Sequence, residues 1–219
     1  MEVVIMEKFD SPLFEGILSS DFGAMLGCIG YHVSTFEKGE IISFEAENIK
    51  HVGIVLKGAV DMIKEDVWGN KTMIKRMHSQ DLFGETFACG SDTISSVTFI
   101  ASENTEILFL PFQRVMNTCS SACVFHQRLL ENMVRLIADR NRDLLRKIEI
   151  ISKKTLREKI LAYLSLQAQI NKNRYFEIPL GRVELADYLC ADRSALTREL
   201  SRMKSEGLID YDKNMFRIL

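Results

Sequence analysis

From Ser120 to Ile151 the chain contains neither proline nor glycine, and its apolar residues fall into two helical rows. One row, Leu130, Val134, Ile137, Asn141, Leu144, Ile148 and Ile151, recurs at spacings that alternate between four and three. Val134, Asn141 and Ile148 then take a positions, with Leu130, Ile137, Leu144 and Ile151 at d, which is the seam of a parallel two-stranded coiled coil. A lone Asn at an a position fixes register and favours two strands at some loss of stability. The second row, Leu129, Met133 and Leu136, lies on another face and is expected to pack on the chain's own β-rich part. A long helix buried inside a monomer is the alternative; two separate apolar faces favour a dimer.

Upstream the texture differs. Short β-branched or aromatic runs (Glu40 to Phe44, Val52 to Leu56, Ala59 to Ile63, Thr72 to Arg76, Val97 to Ile100, Glu106 to Leu110) alternate with Gly, Asn, Asp and Ser. Such spacing predicts an antiparallel barrel or sandwich. Trp68-Gly69-Asn70-Lys71 reads as a tight hairpin, because Gly and Asn tolerate positive φ. Residues 12 to 30 show helix-like apolar spacing interrupted by glycines. The fold class expected is α+β, with three parts: a β-barrel sensor domain over 1–118, a dimerisation helix over 119–151 and a DNA-binding domain over 152–219.

The last part starts with a helix pattern from Leu156 to Ile170, interrupted by the polar loop 171–174. Arg182 to Ser201 then fits a helix-turn-helix. Val183, Leu185, Ala186 and Leu189 supply the inward face of a first helix, and Asp192 is placed to cap the second through its side-chain oxygen. Leu196, Leu200 and Met203 point inward, leaving Arg193, Ser194, Thr197, Arg198, Ser201 and Arg202 outward. That outward face suits a DNA major groove, since Arg can donate two bonds to guanine and hydroxyls adapt to several base edges. Residues 206–219 read as two short strands with a turn, the wing.

Charge agrees with that assignment. Residues 152–219 hold 13 Lys or Arg against 9 Asp or Glu, whereas the rest of the chain is acidic, so phosphate contacts belong at the C-terminal end. Apolar residues at 47% and charged ones at 26% fit a globular chain. No run approaches the roughly 18 apolar residues of a membrane helix, and the start lacks a signal-peptide pattern, so a cytoplasmic protein is expected. The five cysteines are odd in number and scattered, which suits reduced thiols. No nucleophile–base set, phosphate-cradling glycine loop or metal cluster is evident, which argues against an enzyme.

The C-terminal segment resembles the DNA-binding domain of the CRP/FNR family of bacterial regulators. Leu185 to Leu189 and Asp192 to Leu200 carry the likeness, with Glu206-Gly207-Leu208-Ile209 where that family's recognition helix passes into the wing. Upstream, Phe36 to Ile42, Val55 to Val60 and Asp81 to Glu85 resemble its cyclic-nucleotide-binding-type barrel, a jelly roll. The resemblance implies a homodimer that binds double-stranded DNA at an inverted repeat and acts on RNA polymerase. By it, Arg193 and Arg198 fall at base-reading positions, Arg182 at a phosphate-contacting one, and Ser194 where several members have Glu. Cys190 stands at a turn position where Gly is usual.

The same likeness places a candidate effector pocket at Gly84, Glu85, Thr86, Ser95 and Ser96. Cyclic-nucleotide binders of the family pair a Gly-Glu with a nearby Arg for the phosphate; Cys89 to Thr98 contains no basic residue, and Asp92 would repel the anion. Residues 124–151 also lack any Ser or Thr to meet the base. Cyclic AMP is therefore not expected. Neither is an iron–sulfur cluster, with Cys28 alone in the N-terminal region, nor haem through His78. Cys119 and Cys123, four apart, could form a thiol switch or be inert; the effector stays unknown. A regulatory effector-binding or redox-sensing module without direct gene control is the alternative function.

Overall fold

Strand alternation decides how the β-rich part is layered. In the computed structural model, which describes residues 11–116 and 124–219, strand β3 (His51–Lys57) is buried on both faces. Val52, Ile54 and Leu56 point into one core, while Val55 points into another. Strand β8 (Thr105–Pro111) does the same, with Leu108 and Leu110 on the first side and Ile107 on the second. Successive side chains leave opposite faces of a strand, so these near-continuous apolar runs mark the middle layer of a three-layer stack.

That layer is an antiparallel sheet of order β1-β8-β3-β6, with β1 at His32–Phe36 and β6 at Leu82–Phe83. A second antiparallel sheet has the order β2-β7-β4-β5: β2 (Ile41–Ser43), β7 (Thr98–Ala101), β4 (Val60–Glu65) and β5 (Lys71–Met77). The two sheets enclose the core containing Val55, Phe83, Phe99 and Ile107. On the outer side of the first sheet lie helix α1 (Ser19–Ile29), through Phe22, Met25 and Ile29, and the start of the long helix α4 (Val124–Ile151), through Leu129 and Met133. Short helices α2 (Glu85–Ala88) and α3 (Phe112–Met116) complete this part. Asn132, buried on α4, donates to the carbonyls of Leu13 (3.0 Å) and Glu15 (2.8 Å), tying the helix to the N-terminal segment. The second apolar row of α4 thus packs as expected, Leu136 being partly buried in the same core.

The β3–β4 turn needs glycine. Gly58 has φ +85°, and a Cβ there would lie 2.6 Å from the Asn104 carbonyl oxygen. In the β4–β5 turn only Gly69 takes positive φ; Asn70 does not, contrary to the sequence reading. Instead Asp66 organises the turn, accepting from the amides of Trp68 and Asn70 and from the Asn70 side chain, each at 2.9 Å. The Trp68 side chain at the tip is 83% exposed.

The chain divides into two compact units, 1–137 and 138–219, so the boundary falls inside α4. In the second unit α5 (Leu156–Asn171) begins with a capping box: Thr155 Oγ1 accepts from the Glu158 amide, and Glu158 accepts from that of Thr155. Helices α6 (Arg182–Tyr188) and α7 (Arg193–Ser205) follow β9 (Tyr175–Glu177). A three-stranded antiparallel sheet, order β10-β11-β9, closes the unit with β10 at Ile209–Asp212 and β11 at Met215–Ile218. Its core collects Ile150, Ile160, Leu164, Leu185, Leu200 and Phe216. Phe216 is fully buried, a burial worth about 1.5–3 kcal/mol.

Candidate nucleic-acid interface and effector site

Helix α6 ends in a Schellman turn. The Ala191 amide donates to the Ala186 carbonyl at 3.0 Å and that of Cys190 to Asp187 at 3.1 Å, with Cys190 left-handed at φ 51°. A side chain carried at that φ costs about 1 kcal/mol relative to glycine. The turn lets Leu185, Ala186 and Leu189 meet Leu196, Leu200 and Met203 of α7, all buried. Val183 does not join them. It is 52% exposed, because at 100° per residue a position two before Leu185 lies well off the face shared by Leu185, Ala186 and Leu189. Asp192 occupies the N-cap of α7, yet its exposed carboxylate makes no capping bond.

The opposite face of α7 carries Arg193, Ser194, Thr197, Arg198, Ser201 and Arg202, every one exposed. Arg193 makes no side-chain hydrogen bond or ion pair among the described residues. Arg198 Nε leans on the Ser194 carbonyl at 3.3 Å, and Thr197 and Ser201 hydroxyls back-bond to carbonyls four residues earlier at 2.9 and 3.0 Å. Such bonds are held in reserve and can be exchanged for base edges or phosphate. Arg202 faces Glu199 at 3.4 Å.

Arg182 is more constrained than the sequence suggested. Its Nη2 donates to the Lys213 carbonyl in the wing turn at 3.0 Å, and its guanidinium lies 5.1 Å from the Tyr211 ring centre and 5.6 Å from that of Phe216. Lys204 approaches the Tyr211 ring at 5.2 Å and pairs with Asp210 at 2.6 Å. The wing is thus clamped to both helices of the motif, a role for Tyr211 and Lys204 that no sequence signal announced. A broad hollow of about 830 Å³ on the wing sheet carries charges of both signs, including Arg174, Arg217 and Asp212, and so is a poor seat for phosphate.

On α4 the row expected at a dimer seam is open to solvent: Val134 is 60% exposed, Ile137 38%, Leu144 60% and Ile148 57%, with Asn141 also exposed and Leu130 half-buried. Leu145 adds to this surface. Tyr188 of α6 sits under Lys147 of α4 at 5.2 Å, which attaches the end of the helix to the motif.

The five residues of the candidate effector pocket do not form one set of open donors. Gly84, left-handed at φ 77°, starts α2 and Glu85 is buried, whereas Thr86 is exposed. Ser95 Oγ is buried in its own turn, donating to the Val97 carbonyl at 2.7 Å. Ser96 is exposed and its carbonyl accepts from Lys64 at 2.8 Å. Lys64, a cation from β4 that the sequence reading overlooked, is already paired with Glu45. The arrangement does not fit a cyclic phosphate, since Lys64, the cation beside Ser96, is paired with Glu45 and the inner hydroxyl of Ser95 is spent. Cys89 lies behind Glu85; burial, and then that carboxylate, push its thiol up to about 11. Cys119 and Cys123 lie outside the described residues.

A recognition helix with an apolar flank and an arginine–hydroxyl flank, set against a partner helix and a clamped hairpin, defines a winged helix-turn-helix DNA-binding protein. The chain matches a cyclic nucleotide-binding domain over residues 33–122 and a Crp-like helix-turn-helix domain over 158–219. It is 25% identical to the transcriptional activator FnrA of Stutzerimonas stutzeri over 189 residues, covering 84% of this chain and 75% of the relative. With FnrL of Cereibacter sphaeroides it shares 26% over 201 residues, covering 85% and 75%. A CooA variant from Carboxydothermus hydrogenoformans has the same fold, with TM-score 0.61, 18% identity and coverage of 97% and 94%. The chain belongs to the CRP/FNR family of transcription regulators and is not an enzyme. Among the described residues no helix is long and apolar enough to cross a membrane.

Proposed function

We propose that this protein is a homodimer that binds an inverted DNA repeat and controls transcription in response to a small molecule sensed in its β-domain. In this reading residues 1–118 sense, 119–151 dimerise and 152–219 bind DNA. The observation that carries it is the exposed face of α7, where arginines and hydroxyls stand opposite a fully buried flank. Arg193 and Arg198 read bases, Ser194 and Thr197 adjust to neighbouring edges, and Arg182 and Arg202 meet phosphates. The exposed α4 row supports the dimer, since side-by-side burial of Val134, Ile137, Leu144 and Ile148 removes them from water. Two-fold symmetry then sets half-sites about one helical turn apart. RNA polymerase is the partner through which bound DNA is activated or blocked, and the cytoplasm is where both are met. Cyclic AMP is not the effector, because Lys64 is paired and Ser95 is spent.

The test is selection of bound sequences from a random duplex pool, followed by footprinting. The expected product is an inverted repeat protected on one side of the duplex. Enrichment of no repeat, with random DNA bound equally well, would refute the proposal.

A further inference from the structure

Between the two sheets of the β-domain a cleft of about 310 Å³ opens beside β1, within the size range of small-molecule sites. Of the five candidate pocket residues only Gly84 lines it. Its walls are Phe36, Phe83, Phe99 and Phe109. Phe83 lies 5.1 Å from Phe99 and 6.2 Å from Phe109, and Phe36 is 6.4 Å from Phe109, each pair tilted or edge-on rather than face to face. Phe83 and Phe99 are buried and floor the cleft, while Phe36 and Phe109 are half-buried and offer the ring surface open to a further planar group.

Two imidazoles stand at the same place. His32 stacks on Phe109 at 5.0 Å, and His51 meets His32 edge-on at 5.3 Å. Burial, then the neighbouring His32 and Lys50, hold the His51 pKa below its ordinary value, so at pH 7 its ring is neutral and offers both an N–H and a lone pair. Lys50 is also a lining residue, near enough for its charge to act on His51, and its ammonium makes no ion pair or hydrogen bond among the described residues. The one carboxylate on the lining, Glu47, has its Oε2 engaged by the Phe44 amide at 2.9 Å and the Ser43 hydroxyl at 3.2 Å.

From this juxtaposition we infer that the cleft binds a small planar aromatic acid, its ring among the phenylalanines and its carboxylate toward Lys50 and the imidazole N–H groups. An anion meets the Lys50 ammonium and the imidazole N–H donors with opposite polarity, whereas a cation is repelled by that ammonium. A neutral hydrocarbon leaves those polar groups desolvated without a partner, and an inorganic anion leaves the aromatic walls uncovered. The site deepens the effector reading above and rests on it for its effect on DNA.

The experiment uses the full chain and three probes, benzoate, indole-3-carboxylate and 1-naphthoate, with benzamide and benzylamine as neutral and cationic counterparts. Calorimetry gives affinity, and the imidazole resonances, assigned through His32→Asn and His51→Asn, give location. The expected result is that at least one acid binds, shifts the His32 and His51 signals, and exceeds its amide and amine counterparts by about tenfold. Lys50→Gln, a surface change, weakens that acid several-fold, and Ser34→Phe, which puts a bulky ring on the lining, abolishes it. Three outcomes would overturn the assignment: no acid binding up to about 10 mM, shifts confined to His78 or His126, or benzylamine binding as well as benzoate. Operator affinity with and without the bound acid is measured separately. Binding at the cleft with DNA affinity unchanged would support the site and remove the effector role.

Discussion

Arg157 grips Glu206 with a two-pronged contact: Nη1 donates to Oε2 at 2.6 Å and Nη2 to Oε1 at 2.9 Å. Its Nε reaches Glu199 at 2.6 Å, so one residue in the first turn of α5 holds two carboxylates, one on α7 and one just beyond its end. The guanidinium holds the Glu206 carboxyl below its ordinary range. A depressed folded-state pKa stabilises the fold above the ordinary glutamate value of 4.5, and the stabilisation is lost as pH falls through the lower folded value. Arg157→Ala should therefore lower Tm at pH 7, with the gap to wild type shrinking toward about pH 3 and in high salt. An equal gap at both pH values would show that the ion pairs are not its source.

Base reading and phosphate contact separate by sequence dependence. Arg193→Ala and Arg198→Ala should each cost about 1–3 kcal/mol on the selected site and relax one position per half-site. Arg202→Ala should weaken all duplexes alike and flatten the salt dependence. Competition across single-base variants decides; equal losses on selected and random DNA would end the base-reading assignment for Arg193 and Arg198.

Arg182 has two duties to distinguish. Because it clamps the wing through Lys213 and Tyr211, Arg182→Ala should lower affinity on every sequence and also speed amide exchange in β10 and β11. Arg182→Lys keeps the charge but not the planar stack, and should restore salt dependence more than wing protection. Unchanged wing exchange in both variants would leave only the phosphate role.

The seam on α4 is tested by charge. Ile137→Asp should dissociate the dimer by burying an unpaired carboxylate, while Asn141→Leu should tighten it and loosen its register. Sedimentation at micromolar concentration checks both, and a monomeric wild type would remove the seam.

Thiol reactivity should follow exposure. Cys28 and Cys190 are exposed, whereas the half-buried Cys89 thiol, pushed up to about 11, is protonated at neutral pH. Brief alkylation at pH 7.5 and peptide mapping should find adducts on the first two and not on Cys89.

The sequence made the frame legible where side chains repeat against one surface. Val52 to Leu56 and Glu106 to Leu110 announce strands, whose central place the structure adds by burying both faces, and Leu196, Leu200 and Met203 announce the inner side of α7. Strand β9 was not legible. Its three residues sit beside a polar loop and are defined by pairing, Phe176 opposite Phe216, rather than by a pattern of their own. The same holds for the cleft: His32 and His51 are far apart in sequence and meet because β1 and β3 both flank β8. Val183 misled because apolar character in a seven-residue helix does not by itself fix a face. Lys64 was overlooked because it reaches Ser96 from another strand.

Trp68 is the sole tryptophan of the chain, and it stands at a hairpin tip with water on most sides. Intrinsic emission excited in the indole band therefore reports on that tip and is nearly blind to melting of the three cores. A denaturation curve followed by this signal will understate cooperative unfolding, and circular dichroism is the sounder optical probe. The same isolation makes the indole a built-in sentinel: a blue shift or loss of acrylamide quenching on adding DNA or a small molecule would signal that something has come to rest on the β4–β5 turn.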